Sequence, residues 1–167
     1  MALSGSVTTN LSFAQTSTGD ALGSGRFDLA VIQAIALANG VAINQADMLY
    51  KQQATILTAA TLTLDLKGGG LLDVFGVAIN PVKLVGVYIF SKLANTTNLT
   101  LFGDANHVPF LGTVATTVPL KPGGKYEQWD PSLAAITVTA GTGDIVKIVN
   151  AAGASAVVDI VLVGRNS

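Results

Sequence analysis

The residues of this chain able to move a proton or hold a nucleophile are few and far apart in sequence. His107 is the only histidine, set in the loop-like run Asn106-His107-Val108-Pro109. Catalysis needs a group that can exchange a proton near neutral pH, but His107 has no second histidine with which to share a metal and reads as a loop residue at a subunit contact or in solvent. The serines lack a Gly-x-Ser-x-Gly elbow, and Gly23-Ser24-Gly25 reads as a spacer. Asp65, Asp73, Asp104, Asp130, Asp144 and Asp159 are scattered, without the alternating oxygen donors of a calcium loop; a cation held at an interface is the one way they could act together. Gly141-x-Gly143 runs straight into the acidic Asp144, which would repel a phosphate. Glycines at 68–70, 123–124 and 141–143 therefore read as tight turns. With no cysteine there is no disulfide, thiolate metal site or thiol nucleophile. The reading assigns no catalytic, cofactor-binding or metal-binding residue: catalytic none, cofactors none, metal none.

Two other groups of side chains invite a role in contact. Phe110, Tyr126 and Trp129 stand in polar stretches beside Glu127, Gln128 and Asp130, as contact anchors do. The single tryptophan equally suits a cap on a core, or a carbohydrate platform. Asp159 lies among Val157, Val158, Ile160 and Val161; if that face is buried it must pair, and Lys147 on the expected partner strand is the candidate. The sequons at Asn95 and Asn98 read as a polar turn between strands.

The elements that must position these residues are set by composition. Only 11% of the 167 residues are charged, against about 25% in an ordinary domain. Half are apolar before glycine is counted. A fold of this size hides only about 70% of what its unfolded chain exposes, so apolar groups must reach the outside and be shielded by copies of the chain or by another protein. Nine basic and ten acidic residues leave a charge of −1, with no basic face for nucleic acid. Met1 to Gln15 has neither the positive charge nor the continuous apolar core of a leader, and Leu29 to Ile43 is too short and too interrupted to cross a bilayer. Nucleic-acid and membrane partners are not expected, and a soluble product made in the cytoplasm is.

Residues 1–26 are rich in Ser, Thr, Gly and Asn, with modest alternation from Val7 to Phe13. They read as an N-terminal arm or edge strand ordered by a neighbour or by the body, with disorder as the alternative; residues 27–167 read as one domain. Asp28 to Asn39 is the only helix candidate, with Leu29, Ile32, Ala36 and Leu37 as its stripe and Asn39-Gly40 as its stop; its rival is a buried strand ending at the same place. Asp47 to Tyr50 reads as a short turn. Strands are expected at Ile56-Leu57, Leu62 to Leu66, Lys83 to Phe90, Leu99 to Phe102, Thr113 to Leu120, Ile136 to Thr139, Ile145 to Val149 and Val157 to Val163. In Lys83 to Phe90, Val85, Val87 and Ile89 should share one face, with Leu84, Tyr88 and Phe90 on the other. The last two strands read as a hairpin. The fold class is all-β, an antiparallel β-sandwich or jelly-roll-like domain with an extended arm and at most one short helix.

Several stretches are familiar together: Ala36 to Asp47 leading into Tyr50, Leu62-Thr63-Leu64-Asp65-Leu66 with Leu71 to Gly76, Pro122-Gly123-Gly124, Val138 to Asn150 and the closing Asp159 to Gly164. As a set they resemble small virion structural proteins encoded beside the capsid genes of tailed double-stranded DNA bacteriophages, over roughly residues 36–164. Lys51-Gln52-Gln53 departs from the pattern, which has an acidic residue after the tyrosine. The resemblance implies a non-enzymatic β-sandwich subunit, a homotrimer, located on the capsid surface of the virion and partnered with the phage major capsid protein, decorating or cementing seams between its subunits. A fibre or host-recognition module is the alternative. On this reading the arm adds a strand to an exposed edge of a shell protein.

Overall fold

The computed structural model describes residues 2–20, 23–110 and 116–166. Every regular element among them is a strand, so the protein is all-β. β1 (Gly5–Asp20) and β2 (Gly23–Asn39) form a long antiparallel ribbon, and β3 (Gln45–Ala46) joins its foot in parallel. β4 (Met48–Ile56) then crosses over into β5 (Ala60–Asp65), which lies in a different sheet. β6 (Lys83–Ser91) returns to the sheet of β4, while β7 (Leu99–Phe102) and β8 (Thr117–Leu120) belong to that of β5. β9 (Lys125–Trp129) and β10 (Ile136–Thr137) both pair along β6. β11 (Ile145–Asn150) and β12 (Ala156–Arg165) follow, one in each sheet.

The result is a β-sandwich. One sheet runs β4, β12, β6 and then β9 and β10; the other runs β5, β11, β7, β8. Period-2 alternation builds the core between them. Val158, Ile160 and Leu162 of β12 face inward and are fully buried, as are Val146 and Ile148 of β11 and Leu99 and Leu101 of β7. An aromatic group closes one end, with the Phe102 ring centroid 5.4 Å from that of Phe110 and 5.1 Å from that of Tyr126.

Five expectations are corrected. Residues 28–39 are not helical but belong to β2, because pairing with β1 from Gly5↔Leu37 to Ala14↔Asp28 supplies hydrogen bonds that the local helical stripe cannot outweigh. This strand is also exposed over 28–34. The arm expected over 1–26 is thus the first strand, and the start of the second, of a ribbon that continues to Asn39. β11 and β12 are not a hairpin: β11 pairs with β5 and β7, β12 with β4 and β6, and residues 151–155 cross between the sheets. In β6 a register shift opposite Val163 and Gly164 places a bulge, so Leu84 joins Val87 and Ile89 in the core while Val85 faces outward. The polar-aromatic run 125–129, read as a contact loop, is strand β9. Residues 47–50, read as a turn, open into β4, and of the strand expected over 113–120 residues 113–115 lie outside the described residues.

Candidate functional site

The ribbon is the feature that the sandwich does not require. At about 3.3 Å per residue, a strand of this length spans roughly 50 Å. Its register sorts the side chains into two faces: Val7 opposite Ile35, Leu11 opposite Val31 and Phe13 opposite Leu29 share one face with Leu37, while Ser6, Thr8, Asn10 and Ser12 lie on the other. The first is a largely apolar stripe, interrupted by the polar pair Thr9 and Gln33 between its foot and its outer part.

Among the described residues, the covered part of that stripe is its foot. Leu3, Ile35 and Leu37 pack against Val85, Val163, Leu49, Val161 and Trp129 on the outer face of the β4–β12–β6 sheet, forming a second, smaller core. The bulge in β6 is what turns Val85 toward this seat. Hydrogen bonds fix the foot: Ala38 N donates to Asn44 O at 2.9 Å, and Leu3 N to Asn39 Oδ1 at 2.9 Å. Arg165, fully buried, ties the seat from behind. Its guanidinium donates to the carbonyls of Gln45 (2.9 Å), Ser132 (2.8 Å) and Pro131 (3.1 Å), joining β3, the loop after β9 and the end of β12. A cleft of about 210 Å³ remains under the foot, lined by Val7, Leu37, Leu49, Trp129, Val161 and Val163 among others.

Farther out the ribbon stands free. Residues 10–15 and 28–34 are exposed throughout: on the stripe Phe13 by 63% and Leu11 by 46%, and on the opposite face Ile32 by 67%. Residues 3–36 hold only three charges, at Asp20, Arg26 and Asp28, and Arg26 Nε is paired with Asp28 Oδ1 at 2.9 Å. Large apolar groups in line on both strands, rather than scattered singly, mark a surface that meets another. A two-stranded ribbon is marginal in water when its apolar face is left wet.

A second exposed apolar feature lies beside the seat. Asp73 Oδ1 accepts hydrogen bonds from the amides of Phe75 (2.8 Å) and Val77 (2.9 Å), and Ile79 N donates to Leu71 O at 2.8 Å. These bonds fix a tight loop whose tip carries Val74 and Phe75, the latter 71% exposed. Leu3 and Leu49 line the depression between this knob and the ribbon foot.

Beyond the seat, the outer face of the same sheet is polar. Asp159 accepts from Gln53 Nε2 at 2.8 Å and from Lys92 Nζ, not from the expected Lys147, which stands in the other sheet with Asp104 at 3.6 Å. The hydrogen bond from Lys92 comes first, and that from Gln53 second, in holding the Asp159 carboxyl below its ordinary range. On β9 the Lys125 ammonium, at 2.8 Å, lowers Glu127 and is itself raised by it. Tyr88 and Phe90 stack here with centroids 6.4 Å apart.

The expected contact anchors do not form one exposed cluster. Tyr126 faces the core with Phe102, and burial pushes its hydroxyl up; Phe110 is buried. Trp129 is on the opposite face, in the seat, with its indole N–H on Glu127 Oε1 at 2.8 Å. His107 is neither in solvent nor exposed for contact: it is buried beside Phe102, and its Nδ1 donates to Asp104 O at 2.9 Å. The carboxylates close their own turns. Asp65 accepts from Lys67 N and Gly68 N, Asp104 from Asn106 N, Asp130 from Ser132 N and Asp144 from Gly141 N. Among the described residues, no three His, Asp or Glu side chains converge as metal ligands. Asn95 sits in the turn after β6, its amide bonded to both N and O of Val157.

No protein-family model, curated protein or solved structure matches the chain.

Proposed function

We propose that the chain is a non-enzymatic structural subunit of a virion, which decorates or cements the capsid of a tailed double-stranded DNA bacteriophage at seams between major capsid subunits. It is made in the host cytoplasm and acts as a homo-oligomer, a trimer on the capsid surface. The observation that carries this reading is the apolar stripe of the ribbon, seated at its foot and bare beyond Val7 and Ile35. A rigid body with a projecting ribbon suits a subunit that must span a gap between neighbours. Each apolar Å² covered there contributes about 25 cal/mol before ordering costs are deducted. Repeated copies raise the effective concentration once the first has bound.

The test uses purified heads and two proteins: the wild type, and a chain in which an Asn-Gly turn joins Thr8 directly to Ala34, a registered pair. The trimmed chain keeps Leu3, Ile35 and Leu37 and so keeps its seat. Saturable binding of the wild type, weakened at least tenfold by trimming, is the expected result. Equal occupancy by both chains, or no binding by the wild type, would contradict the proposal.

A second reading, a fibre or host-recognition module, is favoured by the stacked Tyr88 and Phe90 among Lys51, Gln53, Lys92 and Asp159. Aromatic faces beside hydrogen-bonding side chains suit a saccharide. A clear hit on a glycan array, lost in Tyr88→Ala, would select it.

A further inference from the structure

The bare stripe and the knob are two apolar surfaces on one chain, and we propose that they meet between copies: the distal ribbon of one subunit lies across the Val74–Phe75 knob of the next. This inference rests on the reading of the chain as an assembled subunit, and names the partner of its ribbon.

Three observations select a second copy as the occupant. The first is continuity. The stripe that ends in Leu11, Phe13, Leu29 and Val31 is the one whose foot already packs on this sandwich, and the knob borders that seat across the depression at Leu3 and Leu49. A ribbon arriving at the knob of a second copy therefore extends an apolar surface that a ribbon of the same kind already covers.

The second is charge. Among the described residues the outer ribbon has one ion pair, Arg26 with Asp28, and its stripe from Val7 to Phe13 and from Leu29 to Leu37 carries no charged side chain. Such a surface has little to offer a phosphate or an acidic peptide, and needs an apolar counterpart. The knob supplies one, held rigid by the Asp73 carboxylate, so little side-chain or loop ordering is needed on contact.

The third is area. The four stripe residues and Leu72, Val74, Phe75 and Val77 are exposed by between 39% and 71%. Covering all eight removes on the order of 800 Å² before flanking backbone is counted, about half a standard interface, so a single contact is weak and ring closure, which gives each subunit two, is what makes it hold. Ribbon-to-knob contact is head-to-tail, the geometry that closes into rings such as a trimer.

The experiment measures mass by light scattering for the wild type, Phe13→Asp and Phe75→Asp, with far-UV circular dichroism to check that both exposed substitutions leave the fold intact. The wild type should run as an oligomer and each variant alone as a monomer. Mixed in equal amounts, the two variants should form a one-to-one heterodimer and nothing larger, because the knob of the first and the ribbon of the second together make one intact contact. A second route exploits the absence of native cysteine: Phe13→Cys with Phe75→Cys in one chain should give intersubunit disulfides under mild oxidation, seen as a ladder on a non-reducing gel. An oligomeric wild type whose variants keep the same mass, with no ladder, overturns the ribbon-to-knob contact alone. A wild type that stays monomeric and ignores phage heads overturns both this contact and the proposed function.

Discussion

Trp129 lies against Gly86: the two are directly paired across β6 and β9, and a Cβ placed on Gly86 would stand 2.0 Å from Cε3 of the indole. The missing side chain makes room for a large aromatic on the outer face of the sheet, and that aromatic becomes part of the ribbon's seat. Gly86→Ala should therefore displace Trp129 and cost about 1–3 kcal/mol, as overpacking does. With a single tryptophan in the chain, its fluorescence reports the move directly, as a red shift. In Trp129→Ala the same Gly86→Ala change should cost far less, a non-additivity readable in denaturant melts.

Acid should loosen the polar part of the same outer face. Asp159 is lowered by Lys92 and Gln53, with Lys51 contributing, from an ordinary value of 3.8, and Glu127 by Lys125 and Trp129 from 4.5. A carboxylate whose folded pKa is depressed contributes stability that is full above its ordinary value and lost as pH falls toward the folded one. The thermal midpoint should thus decline below about pH 5, and decline less steeply in Asp159→Asn/Glu127→Gln. Identical slopes for the variant and the wild type would show that these pairs are fully screened by solvent.

Much of the sandwich is legible in the chain because runs rich in Val and Ile, such as Ile145 to Val149 and Val157 to Val163, are set off by Gly, Asn and Ser turns. What is not legible is which strand meets which. Two β-branched runs separated by Asn150 to Ser155 look like a hairpin, and only the third dimension shows them in opposite sheets. Residues 29–37 satisfy a helical stripe and a period-2 stripe at once, and the choice is made by pairing with a strand more than fifteen residues away. The bulge that reverses Leu84 and Val85 leaves no mark beyond the neighbouring Gly86. Arg165, near the end of the chain, gives no local signal of its burial, nor does Asn150 in its polar turn.

Asn150 decides the crossover. Its buried amide donates to the carbonyls of Ile56 (3.0 Å), Leu57 (3.2 Å) and Ala154 (2.9 Å), stitching the β4–β5 crossing to the β11–β12 crossing. Asn150→Ala strands these acceptors and should cost about 2–4 kcal/mol. Asn150→Asp, which turns a charge toward three carbonyl oxygens, should be worse at neutral pH and recover in part on acidification. A denaturant series at two pH values tests both.

Arg165→Lys is an equally sharp test of the seat. A planar fork meets three carbonyls held in fixed directions, and an ammonium on a flexible stem cannot reproduce that geometry. A loss of about 2 kcal/mol is expected, with faster amide exchange concentrated at Gln45, Ala46 and the ribbon foot. Uniform exchange across the chain would mean that the arginine stabilises the sandwich generally and does not position the ribbon.

The most direct measurement of the central claim is the solution mass of the wild type beside that of the chain trimmed between Thr8 and Ala34. If the apolar stripe is covered by a neighbour, the wild type has a mass several times 17.0 kDa at micromolar concentration, and the trimmed chain is a folded monomer. A wild type that remains at 17.0 kDa, with the amides of residues 10–15 and 28–34 no better protected at high concentration than at low, would contradict it.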